Sequence, residues 1–203
     1  MEAVSTEEKI KKAAVREFAL YGFEGARVDR IAQKAKINKA MIYYHYKGKE
    51  NLYEAVLSDV LKTVFLRVTE KISDEKSPYE QMELIINEYI EFIKTVDQDF
   101  VKMMLRELSS GGKYFKKLML PGVVLPMMKI VQEILSDGMK RSIFKEINPQ
   151  YTFLQTIGSI LFFNALRITL QDTDIGKLLF PEDAFDKFKI NLLGILKTGI
   201  LVH

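Results

Sequence analysis

The chain has 203 residues, 48% hydrophobic and 28% charged, which is enough for one large domain or two small ones. It has no cysteine and only two histidines, His45 and His203, so a disulfide framework and a thiolate metal site are excluded, and a zinc centre or His-based triad is poorly supported. The net charge of +3 is unevenly placed: Met1 to Glu50 carries eleven Lys and Arg against seven Asp and Glu, and the remainder nineteen against twenty.

Eleven Gly and five Pro are few for this length and point to helix. The opening MEAVSTEEKIKKAA lacks the apolar core of a secretion signal. No uninterrupted apolar run reaches the roughly eighteen residues a bilayer span needs. The longest, Ile157 to Leu170, is broken by Asn164 and Arg167, and a cytoplasmic protein is expected. No metal and no cofactor is expected.

In chain order, Thr6 to Tyr21 repeats Ile10, Ala13, Ala14 and Phe18 on one helical face. Ser5 or Thr6 can cap its start, Glu7 and Glu8 suit the helix dipole, and Gly22 is a natural C-cap. A short helix follows from Val28 to Ala35, then a turn at Lys36-Ile37-Asn38. Asn38 caps a second short helix from Lys39 to Tyr46. Its inner face is Ile42 and Tyr46, which leaves Lys39, Ala40, Met41, Tyr43, Tyr44 and His45 outside.

Two short helices joined by a three-residue turn form the unit that lays its second helix in the DNA major groove. Hydroxyl, imidazole and ammonium groups all donate to phosphate oxygens. Between Arg27 and Lys49, seven cations (Arg27, Arg30, Lys34, Lys36, Lys39, Lys47 and Lys49) face only Asp29. That is the footprint of a polyanion partner, or of a solvated helical surface.

The run GFEGARVDRIAQKAKINKAMIYYHYKGKENLY, Gly22 to Tyr53, resembles the DNA-binding region of TetR-family transcriptional regulators. The shared elements are the I-A-x-x-A helix, the I-Y-x-H-[FY] recognition helix and the K-E-x-L-Y entry to a fourth helix. The resemblance implies that Lys39, Ala40 and Met41 face base edges. It implies that Tyr43, Tyr44, His45 and Lys49 hold the DNA backbone and that Arg27 contacts phosphate. This chain departs from the pattern twice. Arg27 stands where the family often has a capping Thr or Ser, and Lys36 stands where it usually has Gly.

A long helix, Glu50 to about Ile72, carries a stripe of Leu52, Val56, Val60, Val64 and Val68. Ser73 to Pro78 is a polar break. Helices then span Tyr79 to Val96, Asp99 to Leu108, Tyr114 to Leu120 (stopped by Pro121) and Val123 to Leu135, with Asp137-Gly138 as a C-cap. Asn148-Pro149 opens a helix to Leu170, and Pro181-Glu182 opens the last. The fold class is all-α, of about nine helices. It comprises a three-helix DNA-binding domain over 1–50 and a helical-bundle regulatory and dimerisation domain over 51–203.

The resemblance also implies a small-molecule pocket in the second part. Its candidate lining is Phe65, Met82, Tyr89, Phe100, Met103, Met104, Arg106, Met127 and Phe162, although ordinary core leaves the same pattern. Stripes at Tyr151, Leu154, Ile157, Leu161 and Ala165 and at Phe185, Phe188, Leu192 and Ile195 suit either an intersubunit four-helix bundle or internal packing. The expected protein is a homodimeric repressor that binds a double-stranded operator and is released by an apolar or amphipathic effector. An activator of the same fold, or a helical carrier that does not bind DNA, would share much of this pattern.

Overall fold

The computed structural model describes residues 5–73 and 75–202, apart from the side chains of Leu61 and Val64. Asp74, inside the predicted polar break, and His203 lie outside the described residues. Among those residues there are ten α-helices and one π-helix. The only β contact among them is an isolated bridge between Phe144 and Leu201.

The first three helices are α1 (Thr6–Gly25), α2 (Val28–Ala35) and α3 (Lys39–Tyr46). Ser5 caps α1 in a reciprocal box with Glu8, so two otherwise orphaned N–H groups are satisfied at its start. Gly22, at φ +67°, breaks the helical path where the sequence places a C-cap, and one further turn follows it. Asn38 caps α3 by accepting from the Ala40 N–H at 2.9 Å.

The chain continues through α4 (Lys49–Thr69), α5 (Pro78–Thr95) and α6 (Gln98–Ser109). A π-helix, Phe115–Val124, runs directly into α7 (Leu125–Lys140). The expected stop at Pro121 is therefore not observed. The wider π turn shifts the hydrogen-bonding register in which a proline ring would clash with the preceding carbonyl, and the chain passes through.

The final helices are α8 (Pro149–Leu170), α9 (Asp174–Leu179) and α10 (Ala184–Ile200). The six-residue α9 has no counterpart in the sequence reading, because its exposed Ile175, Leu178 and Leu179 break the amphipathic pattern. The predicted C-cap at Asp137-Gly138 also fails, since α7 continues to Lys140. Gly138 is needed for another reason: a Cβ there would lie 2.0 Å from the Phe144 ring.

The chain forms two compact units. One takes in the chain up to Thr63 together with Val96–Val123; the other comprises Val64–Thr95 and the chain from Val124 onward. The core of the first joins Ile10, Ala14 and Phe18 of α1, Ile31 of α2, Ile42 of α3 and Leu52 and Leu57 of α4 with Phe100, Met103 and Tyr114. The core of the second contains Val68, Met82, Val131, Leu135, Phe144 and Phe153.

Two helical stretches, Phe115–Lys140 and Pro149–Leu170, are long and apolar enough to cross a bilayer, with mean hydropathies of 1.6 and 1.4. Neither stretch is uninterrupted: Asn164 and Arg167 break the second, and Lys116, Lys117 and Lys129 the first. A helix packed in a protein core or interface passes the same test.

Candidate functional site

Helix α3 is seated by two residues one turn apart. Ile42 is fully buried and Tyr46 nearly so, both in the first unit's core. This fixes the rotation of the helix and leaves Lys39, Ala40, Tyr43 and Tyr44 outward, the two tyrosines 47% and 79% exposed. Short Ala40 beside long donors lets the helix backbone approach a surface while the phenols reach past it.

The other expected contact residues are less open. Met41 is half-buried against the core. His45, placed outside by the sequence reading, is turned inward. Its Nδ1 lies 3.1 Å from Glu7 Oε1, and its Nε2 is buried without a partner among the described residues. Lys49, expected on the DNA backbone, donates to the carbonyls of Glu24 and Ala26 at 3.3 and 3.2 Å and lies over the Phe23 ring. There it neutralises carbonyls at the end of α1, where a cation suits the helix dipole.

The turn preceding α3 carries the second departure from the family pattern. Lys36 sits at φ 55°, ψ 46°, the left-handed conformation that favours glycine. Lys47 takes a similar position at the end of α3. Both side chains are exposed, as is Arg27, and none of the three makes an ion pair among the described residues. Lys36 and Lys47 belong to the basic run, but only the backbone shows that they cap helix ends.

The first departure is compensated from α1. Arg27 has no capping side chain, but its N–H donates to Glu17 Oε1 at 3.2 Å. The fully buried Glu17 also accepts from Arg30 Nε at 2.5 Å and Lys34 Nζ at 2.8 Å. Burial alone would raise its pKa; the Lys34 and Arg30 hydrogen bonds outweigh that and hold it below the usual carboxylate value. Arg30 additionally donates to the Gly25 carbonyl and stacks over Tyr21. Lys39 is paired with Asp29 at 2.6 Å, which lies N-terminal to it on the facing helix.

A second buried carboxylate, Glu107, organises the far side of the unit. It accepts from Tyr53 Oη at 2.9 Å and from the N–H groups of Tyr114 and Phe115 at 2.6 and 3.1 Å. Burial, reinforced by this bond, pushes the Tyr53 phenol well above its ordinary pKa. The Phe18, Phe23, Tyr53 and Tyr114 rings close around it at centroid separations of 4.7–5.2 Å where they touch edge-on or tilted.

The nine residues expected to line a ligand pocket are divided between the two units. Phe100 and Met103 belong to the first unit's core and Met104 packs against it, while Arg106 donates to the Ala19 carbonyl at 2.7 Å. Met82 and Met127 lie in the second unit's core, with Phe65 packed on it. Tyr89 lies beside Phe92, burial raising its phenol pKa, and Phe162 is 66% exposed.

A cavity of about 360 Å³ does exist in the second unit, lined by Thr69, Ile72, Gln81, Ile130, Glu133, Ile134 and Asp137. None of the nine is among these. Its apolar floor is isoleucine and its polar rim acidic, and only the i, i+4 pairs Ile130–Ile134 and Glu133–Asp137 on α7 hint at it in the sequence.

The helix-turn-helix region matches the family model "Bacterial regulatory proteins, tetR family" over residues 10–56. Along the whole chain, similarity extends to the HTH-type transcriptional regulator RutR of Escherichia coli O157:H7, 30% identical over 98% of this chain and 92% of that protein. The HTH-type transcriptional repressor NicS of Pseudomonas putida is 28% identical over 83% of this chain and 80% of its own length.

Among solved structures, the ketosteroid transcriptional regulator KstR2 of Mycobacterium tuberculosis superposes with a TM-score of 0.76 at 18% identity, covering 100% of this chain and 98% of that one. The transcriptional regulator FadR from Bacillus subtilis, in complex with stearoyl-CoA, gives 0.72 at 19%, covering 96% and 98%. Both show a shared fold. With α3 presented as described and a full-length relative at this level of identity, the chain belongs to the TetR family of DNA-binding transcriptional regulators.

Proposed function

We propose that the protein is a homodimeric repressor that leaves a pseudo-palindromic operator when a small amphipathic effector binds its second unit. The observation that carries the DNA reading is α3, whose Ile42 and Tyr46 are buried while Lys39, Ala40, Tyr43 and Tyr44 stand outward. In this reading Lys39 and Ala40 meet base edges and the tyrosines hold phosphates, joined by Arg27, Lys36 and Lys47, the cations between Arg27 and Lys49 that have no partner among the described residues. Met41 contributes only through its exposed portion, and His45 and Lys49 act by supporting the site.

Dimerisation supports the reading on physical grounds, because one short helix reads too few base pairs for useful specificity. Leu154, Leu161, Phe162 and Leu166 on α8 and Ile190 and Ile195 on α10 are exposed in the single chain. A Cβ at Gly158, Gly194 or Gly199 would meet nothing within 4 Å, so another helix can approach closely there. The effector is assigned to the cavity around Ile130, Ile134, Glu133 and Asp137, a surface suited to an apolar body with a cationic or hydrogen-bond-donating end. Thr69, the last residue of α4, borders it, and α4 begins in the DNA-binding unit. An effector shifts operator affinity only as far as it prefers one orientation of that helix.

The test is replacement of Tyr43 and Tyr44 together by alanine. Duplex affinity falls by more than about tenfold while helicity and oligomeric state are unchanged. Undiminished binding removes α3 from the site.

A further inference from the structure

We propose that Glu17 determines DNA selectivity by acting as an internal anion that keeps Arg30 and Lys34 from binding phosphate. Its side chain is fully buried, yet both cations it holds are about a third exposed, 34% and 37%, at the edge of the basic surface. Each is held more than once. Arg30 bonds Glu17 and the Gly25 carbonyl and lies 4.0 Å from the Tyr21 ring centroid; Lys34 bonds Glu17 with its ammonium 5.8 Å from that centroid. Neither can extend towards a duplex without taking a charged partner from a fully buried carboxylate, which is unfavourable.

Affinity for any duplex, whatever its sequence, rises with the number of phosphates neutralised. Selectivity is the ratio of operator binding to this background. Seven cations between Arg27 and Lys49 would give a high background. Glu17 removes two, Asp29 pairs with Lys39 and backbone carbonyls hold Lys49, which leaves Arg27, Lys36 and Lys47 unpaired among the described residues. Base-edge contacts from α3 then make a larger share of total affinity. Glu17 comes from outside the basic stretch, so counting charge within that stretch overstates what DNA meets.

The experiment measures binding to a mixed-sequence duplex without inverted repeats across a salt series. Glu17→Gln is expected to tighten binding about tenfold at low salt and to steepen the slope of log affinity against log salt by about one to two per bound chain. The triple variant Glu17→Gln, Arg30→Gln, Lys34→Gln is expected to return the slope to the wild-type value. A purely structural defect would not be corrected by removing two more charges.

Lys34→Gln alone keeps the Glu17–Arg30 pair and is expected to leave the slope unchanged. The proposal is overturned if Glu17→Gln leaves the slope the same or shallower, or if Lys34→Gln lowers it by about one, which would mean that Lys34 already binds phosphate. Should Glu17→Gln fail to fold, the Lys34→Gln slope decides the matter.

Discussion

Lys36 shows how one residue can be legible by type and still informative only in place. Its position before α3 demands positive φ, and an L side chain there is strained by about 1 kcal/mol. Lys36→Gly is therefore expected to raise stability by at most about 0.5 kcal/mol in denaturant unfolding, because the extra chain entropy of glycine offsets much of the relieved strain. The same variant removes a free cation, so its salt slope for duplex binding should become shallower.

Glu17 gives the opposite case, a residue unremarkable in sequence because its three partners lie ten to seventeen positions away. Its carboxyl is held below the ordinary carboxylate value, so its contribution to stability is complete above that ordinary value. The contribution is lost as pH falls through the lower folded-state value. In acid titrations of stability, Glu17→Gln should remove part of the decline below about pH 4.5; an unchanged profile would show that Glu17 is not ionised in the fold.

At the level of elements, start signals proved more readable than stop signals. Ser5, Asn38 and Asn148 each accept from a backbone N–H at the helix start the sequence assigns them, because a cap is a local event within three residues. Pro121 and Gly138 were misread because their meaning depends on tertiary packing. Gly138 lies inside α7 with the Phe144 ring against it. Gly138→Ala should cost about 1–3 kcal/mol, since the ring is buried and must shift. Helix propensity alone would predict that alanine stabilises, so the sign of the measured change separates the two accounts.

The same reasoning applies to the ligand candidates. Met and Phe at helical spacing mark burial, and burial alone does not distinguish Met103, a core residue, from a cavity wall. On α10, Phe185 and Phe188 turn onto Phe163 at centroid distances of 5.3 and 4.2 Å, leaving Ile190 and Ile195 as the outward pair. Apolar spacing revealed that the helix has a buried side; the structure shows which side.

For the whole molecule, the exposed apolar surface of α8 and α10 predicts self-association. Phe162→Glu combined with Ile195→Glu places charges on outward positions without touching either core. The expected result is a monomer of unchanged helicity by sedimentation, with operator affinity reduced at least about tenfold because two linked reading heads become separate. A variant that remains dimeric would move the interface elsewhere.

The aromatic cluster around Glu107 bears on how this molecule can be divided. Tyr114, Phe100 and Met103 come from residues beyond Val96, yet they complete the core that seats α1 to α4. A fragment ending near residue 63 would leave the Tyr53 hydroxyl without its Glu107 acceptor and take from Phe23 and Tyr53 the Tyr114 ring that packs on both. The DNA-reading part is therefore discontinuous along the gene. Grafting it onto another regulator requires transplanting Val96–Val123 along with the N-terminal segment, and recombination at a single crossover would separate parts that fold together.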